Sequence, residues 1–314
     1  MPTLDTVRAA AERIAGRVHR TPTTPQTSLG DLAGVRLHLK AELLQRTGSF
    51  KVRGVLNTVL TLSDEERARG LVTMSAGNHG AALAYAARQA GTTAIIVMPG
   101  NANPGKVAAT KAYGGEVVLA DGPLGDALTE VRERTGRTLV HPFDDPRVIA
   151  GAGTVGLEIL EDVPDADVVV VQAGGGGLLA GVSAVVKALR PQARVYGVEP
   201  EGADAVSLGL AKGEPVTLWP VSVADALCAP FTGHHVLPVV REHVDEVFRI
   251  PDGAILHGLR MVLERTKYAV EPAGATGVAA LLGGFVPVEP GERVVAIATG
   301  GNVDSATLAT LLTS

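Results

Sequence analysis

Three segments far apart along the chain carry residue types that act together in one kind of chemistry. Ser49-Phe50-Lys51-Val52-Arg53-Gly54 sets an amine between apolar neighbours, with Gly48 and Gly54 permitting close approach. Ser75-Ala76-Gly77-Asn78-His79-Gly80 offers short polar groups on a turn after an apolar run. Gly174-Gly175-Gly176-Gly177 follows Val168–Val171 and leads into a helical pattern from Leu178, which places bare N–H groups at a helix start. A lysine partly removed from water has a lowered pKa and more neutral, nucleophilic amine. Asn78 suits a ring hydroxyl, and Ser75 with nearby backbone N–H groups suits a carboxylate. A phosphorylated aldehyde cofactor needs an amine to condense with, polar groups to orient its ring, and an anion cradle. The three segments together therefore read as a pyridoxal-phosphate enzyme acting on a small amino acid.

Each segment alone has a plainer reading. A single lysine is most often a solvated surface residue, and Ser75–Gly80 could be no more than a capped turn. The glycine run could be a close-packed strand–helix turn, or part of a dinucleotide site with Glu199 as the ribose-binding acid roughly 20 residues on. The dinucleotide reading leaves Lys51 and Asn78 without a role.

The elements that must position these residues alternate. Asp5 is placed to cap a first helix with apolar positions Val7, Ala10, Ala11, Ile14 and Val18, ended by Thr21-Pro22. A strand is expected over Arg36–Lys40, and Ser49 is placed to cap a helix from Lys51 to about Leu62. Strands over Leu71–Met74, Ala94–Met98 and Glu116–Leu119 alternate with helices over Ala81–Gln89, Pro104–Tyr113 and Leu124–Arg134. Later come strands Val168–Val171, Arg194–Val198 and Arg293–Ala298, with helices to Leu189, over Gly253–Arg265 and over Asp304–Leu312. Such alternation predicts an α/β fold with mainly parallel sheets flanked by helices. Two clusters of it suggest two domains: a large one from 1–68 with 145–314, and a small one over 69–144.

The chain has 314 residues, 46% hydrophobic but only 3% aromatic, as befits buried parallel strands of Val, Ile, Leu and Ala. A net charge of −5 without a basic block argues against nucleic acid or anionic membrane as partner. No long apolar run suggests a membrane span. Charged residues from Asp5 to Arg17 interrupt any signal-peptide core. The single cysteine, Cys228, excludes an internal disulfide and suggests a reducing, cytoplasmic compartment. It reads as a small structural residue rather than a reactive thiol. The adjacent His234 and His235 make a poor metal pair.

The chain resembles the fold-type II pyridoxal-phosphate enzymes of the serine/threonine dehydratase and serine racemase group, whose fold is like that of tryptophan synthase β. The resemblance rests on Lys40-Ala41-Glu42 through Gly54, Ser75 through Gly80, His141-Pro142-Phe143-Asp144-Asp145-Pro146 and Ile149-Ala150-Gly151. It continues through Gly174 to Gly177, Val198-Glu199-Pro200, Val270-Glu271-Pro272 and Thr299-Gly300-Gly301-Asn302. It implies that Lys51 carries the cofactor and moves the Cα proton, with Phe50 beside the ring and Asn78 on the ring hydroxyl. Gly174, Gly175, Gly176, Gly177 and Leu178 would give phosphate-binding N–H groups. Thr299 would face the pyridine nitrogen, and Glu271 belongs with the cofactor-binding set. Ser75, Ala76, Gly77, Asn78 and His79 would form the substrate-binding turn. A homodimer is also implied.

Two departures from the family pattern bear on activity. Racemases of this group carry a second serine where this chain has Ala76, which cannot move a proton, so dehydration of L-serine, L-threonine or a related β-hydroxy amino acid is expected over racemisation. The family's Mg²⁺ or Ca²⁺ site uses a Glu, a carbonyl and an Asp. Glu199 and the carbonyl of Ala203 match, but Ala205 stands at the Asp position. The segment after Asn302 is short, so no C-terminal regulatory domain is expected.

Overall fold

A computed structural model describes residues 2–313. The chain forms two sheets. The larger contains β1 (Thr23–Pro25), β2 (Arg36–Lys40), β7 (Val168–Gln172), β8 (Arg194–Pro200), β9 (Glu246–Ile250) and β10 (Arg293–Ile297), in the order β1-β2-β10-β7-β8-β9. Only the β1–β2 pair is antiparallel. The smaller sheet, all parallel, contains β3 (Leu71–Met74), β4 (Ala94–Pro99), β5 (Glu116–Ala120) and β6 (Thr138–Leu139), in the order β5-β4-β3-β6.

Strand periodicity explains how both faces of the larger sheet are covered. Val168 and Val170 of β7 point to one face and join a core with helices Asp252–Thr266 and Pro272–Leu282. Val169 and Val171 point to the other face, against helices Pro146–Asp162 and Gly177–Leu189. A strand buried on both sides must be apolar throughout, which is why Val168–Val171 reads as an unbroken valine run.

The helix Lys51–Thr61 packs against elements around both sheets. Its Val52, Val55, Leu56 and Val59 share a core with Leu71 and Ile96 of the smaller sheet and Leu83 of helix Asn78–Gln89. On another side it crosses helix Pro146–Asp162 so closely that a Cβ on Gly54 would come within 2.6 Å of the Val148 carbonyl oxygen. Beside that crossing lies a buried charge cluster. Arg53, 1% exposed, donates to both carboxylate oxygens of Glu42 at 2.8 Å and to both of Glu158, and Lys40 Nζ donates to Glu158 at 2.6 Å. Removing one partner of such a cluster leaves a buried charge unpaired, at about 3–5 kcal/mol. The start of the Lys51 helix is thereby tied to β2 and to helix Pro146–Asp162.

Several local expectations are corrected. The first helix, Leu4–Ile14, is capped by Thr3, which exchanges hydrogen bonds with Thr6; Asp5 lies in its first turn instead. That helix ends at Ile14, before Val18 and well before Pro22. Ser49 does not cap the Lys51 helix: Phe50 occupies the cap position without a side-chain bond. Tertiary contacts set this terminus, through a bridge between Ser49 and Gly300 and a bond from Phe50 N–H to the Thr299 carbonyl at 3.1 Å. Helices Pro146–Asp162 and Pro272–Leu282 and strand β9 are additional to the expected elements. Asp145 capping and Pro146 at the first turn were the legible signal for the first of these.

Candidate active site

Lys51 Nζ donates to the carbonyl of Pro142 at 2.9 Å and lies 5.3 Å from the centre of the Phe50 ring. Burial pushes its pKa down to about 8, against the pull of Glu271. The amine is therefore substantially neutral in mildly alkaline solution and is held in one direction by a backbone acceptor.

The segment that receives this bond also supports the glycine turn. A Cβ on Gly175 would fall 2.4 Å from the Phe143 ring, and one on Gly174 would fall 2.7 Å from the Leu227 carbonyl oxygen. Gly176 has φ +85°, in the left-handed region that favours glycine. The turn is thus glycine for packing and conformation alike. Gly175, Gly176, Gly177 and Leu178 are buried, and no group among the described residues accepts their N–H bonds. Buried amides are ordinarily paired, so this row at the start of helix Gly177–Leu189 fits an anion such as a phosphate. The hydroxyl of Thr232, buried beside Gly176, is likewise unpartnered. Gly175→Ala is expected to drive the turn off Phe143 and weaken cofactor retention at least tenfold, read by dialysis of the loaded protein and its visible absorbance.

Thr299 completes the arrangement from the end of β10. Gln172 Nε2, at the end of β7, donates to the carbonyls of Ala273 and Ile297 at 2.9 and 2.8 Å and lies 3.1 Å from Thr299 Oγ1. Gln172 was not singled out from the sequence, although a polar residue closing an all-valine strand is the signal for it.

The turn after β3 divides its expected residues. Asn78 opens helix Asn78–Gln89 and donates from Nδ2 to Glu271 Oε1 at 2.6 Å. Ser75 Oγ accepts from Gly77 N–H at 3.1 Å, and the first N–H groups of the helix have no intrahelical partner, which leaves them for a carboxylate. Ala76 is exposed and presents only a methyl group. The His79 side chain turns into the protein instead: it is 3% exposed and its Nε2 lies 3.1 Å from both Thr73 Oγ1 and the Val140 carbonyl. Burial, with Lys51 nearby, lowers its pKa to about 3, so it is neutral and ties the turn to the smaller sheet. Glu271, 3% exposed, is pushed up to about 7 by burial, partly offset by the Asn78 bond.

A cleft of about 460 Å³ opens onto Gly77, Asn78 and Glu271 and is also lined by Lys106, Asp225 and Asn302. Lys51 and the glycine turn are not part of its wall. Lys106 and Asp225 were not foreseen; their ion pair at 2.6 Å spans this cleft.

The remaining candidates lie outside the site. Both Glu199 oxygens are taken up by helix Ala205–Lys212: Oε1 accepts from Val206 N–H at 2.7 Å, and Oε2 accepts from Ser207 N–H at 2.9 Å and Ser207 Oγ at 2.7 Å. Glu199 is therefore a helix cap rather than a ribose-binding acid. Asp204 pairs with Arg249 at 3.3 Å. With Ala205 lacking a carboxylate, these donors do not fit a hard cation, which takes six or more oxygens. No group of three or more His, Cys, Asp or Glu among the described residues could hold a metal. The Mg²⁺ or Ca²⁺ expectation at Glu199 and Ala203 is thus unsupported. Chelator and added Mg²⁺ or Ca²⁺ should leave the melting temperature unchanged; a cation-dependent rise in differential scanning fluorimetry would contradict this. His234 and His235 are exposed, and their backbone N–H groups donate to the Asp144 carboxylate. Burial raises the Cys228 thiol to about 11, consistent with an inert residue.

A family model described as "Pyridoxal-phosphate dependent enzyme" matches residues 14–300. The chain belongs to that family. It is 41% identical over 309 residues to a serine racemase of Oryza sativa subsp. indica, covering 96% of this chain and 91% of that one. It is 40% identical over 312 residues to a phenylserine dehydratase of Ralstonia pickettii, covering 98% and 96%. The solved structure of maize serine racemase superposes with a TM-score of 0.93 at 41% identity, covering 98% of this chain and 96% of that one. The fold is thus the fold-type II arrangement, and the enzyme depends on pyridoxal phosphate. No helix among the described residues is long and apolar enough to cross a membrane.

Proposed function

We propose that this enzyme is an ammonia-lyase that dehydrates L-threonine, L-serine or a close β-hydroxy amino acid to a 2-oxo acid and ammonia. Ala76 carries the choice over racemisation, because its methyl group stands where a second proton-transfer group is required. The named relatives include both a dehydratase and a racemase, so the racemase is the competing reading.

Bound pyridoxal phosphate supplies the electron sink that acidifies the substrate's Cα–H bond. Lys51 would hold the cofactor, and its Nζ, directed by the Pro142 carbonyl, would take the Cα proton. N–H groups from Gly174 to Leu178 would hold the phosphate. Ser75 and the N–H groups opening helix Asn78–Gln89 would hold the substrate carboxylate and fix Cα over the base. Phe50 and Phe143 would shield this region from water. Thr299 would offer a hydroxyl rather than a carboxylate to the ring nitrogen, which would keep the electron sink weak and suit loss of a β-leaving group. Ammonia and 2-oxo acid assays across hydroxy amino acids, with chiral chromatography of the remaining substrate, test the proposal.

The division into residues 1–68 with 145–314 and residues 69–144 is kept as a proposal, as is the homodimer. Light scattering of the eluted protein tests the dimer.

A further inference from the structure

The Asn78 carboxamide takes its direction from a hydrogen-bond chain with one possible polarity. The carbonyl oxygen of Thr47 can only accept, and it accepts from Asn302 Nδ2 at 2.8 Å. The other hydrogen of that Nδ2 goes to Asn78 Oδ1 at 2.7 Å. Asn78 must therefore present its oxygen to Asn302 and its Nδ2 to the opposite side, where it donates to Glu271 Oε1 at 2.6 Å. The direction of an amide is assigned from its partners. Here a backbone carbonyl at one end and a carboxyl at the other give the same answer. An amide nitrogen has two hydrogens, so one Asn78 N–H is left over.

The backbone makes room for both partners of Asn78. Gly48 has φ +70°, and a Cβ there would lie 2.2 Å from Asn302 Oδ1. A Cβ on Gly300 would lie 2.3 Å from Glu271 Oε1. A side chain at either glycine would displace one end of the chain.

We infer that Asn302 and Glu271 are positioning residues that hold Asn78 as a hydrogen-bond donor toward the cofactor's ring oxygen, and so favour the anionic form of that oxygen. The inference rests on the reading that Asn78 faces that oxygen. Glu271 is faced by Lys51 from the helix Lys51–Thr61, by Lys106 from the helix Pro104–Ala112 and by Asp225 from the turn Asp225–Leu227. Its pKa of about 7 makes its strength as an acceptor change across neutral pH.

The test uses the loaded enzyme and its cofactor-free form, with visible absorbance and the pyridoxal phosphate dissociation constant as readouts. Asn302→Asp keeps the shape but supplies no donor, so it opposes both Thr47 O and Asn78 Oδ1. It is expected to weaken cofactor binding about 10- to 100-fold and to shift the absorbance band to shorter wavelength. Should that variant fail to fold, Asn302→Ala carries the same test with a smaller shift in the same direction. Glu271→Gln is expected to remove a pH step centred near 7 in the loaded enzyme's absorbance. Asn78→Ala sets the scale. A band shifted by Asn78→Ala but not by either Asn302 variant overturns the positioning inference and leaves the site reading standing. A pH step that persists in Glu271→Gln overturns the part assigned to Glu271. A band and affinity unchanged in Asn78→Ala overturn the inference together with the reading that Asn78 faces the ring.

Discussion

Lys51→Ala is expected to reduce turnover about 10⁴-fold or more while leaving the fold intact, because in its proposed role one change would remove both the covalent attachment and the proton-transfer base. The proposed phosphate binding by the glycine turn would not involve the lysine, so noncovalent cofactor should still be retained, at lower affinity. Borohydride reduction of the unaltered enzyme followed by peptide mass mapping should place a phosphopyridoxyl group on Lys51. Lys40 is no substitute, since it is fully buried and bonded to Glu158. Attachment also has a defined pH dependence. The neutral amine is the nucleophile, and burial lowers Lys51 to about 8. Covalent capture of added pyridoxal phosphate by the cofactor-free protein should rise about tenfold per pH unit below that value and level off above it. Stopped-flow absorbance measures this, and a profile still rising steeply at pH 10 would show an ordinary, solvated lysine.

The second large effect concerns the stereochemical outcome. Racemisation removes the Cα proton from one face of the substrate and returns one to the other. In the proposed roles Lys51 would serve one face, and the methyl group of Ala76 would serve neither. A positioned acid is worth roughly 10²–10⁴-fold in rate, so elimination should exceed racemisation by a factor of that size. Loss of the β-hydroxyl needs no donor on the opposite face at Cα. Ala76→Ser should therefore raise D-serine formation from L-serine by orders of magnitude while cofactor absorbance stays unchanged. Chiral chromatography alongside a 2-oxo acid assay reads both products. If the unaltered enzyme makes D-serine as fast as pyruvate, another residue supplies the second proton and the dehydratase proposal fails.

Much of the architecture was legible because burial on both faces leaves a plain signature. The expected strands at Arg36–Lys40 and Leu71–Met74 coincide with β2 and β3, and the other strands expected after Leu71 shift by no more than two residues. Helix starts were harder to read. Thr3, not Asp5, caps the first helix, and Ser49 caps nothing, because a buried start can be held by contacts from a distant strand. Helix Pro272–Leu282 was missed because it is apolar on nearly every side and so lacks amphipathic periodicity.

At the site, residue types alone carried the chemistry: an amine among apolar neighbours, a glycine turn between strand and helix, and a methyl group at position 76 follow from the chain whatever its fold. Side-chain direction did not. His79 and Asn78 are adjacent in sequence, yet one packs into the smaller sheet and the other meets Glu271 and Asn302. From the sequence Glu199 reads as a ribose-binding acid or a cation ligand, and only the nearby N–H groups of Val206 and Ser207 make it a helix cap. Hydrogen bonds depend on distances of a few tenths of an ångström, here between residues as far as 255 positions apart, which composition and spacing do not encode. The sequence thus determined which groups could react, and the tertiary structure decided which of them face one another.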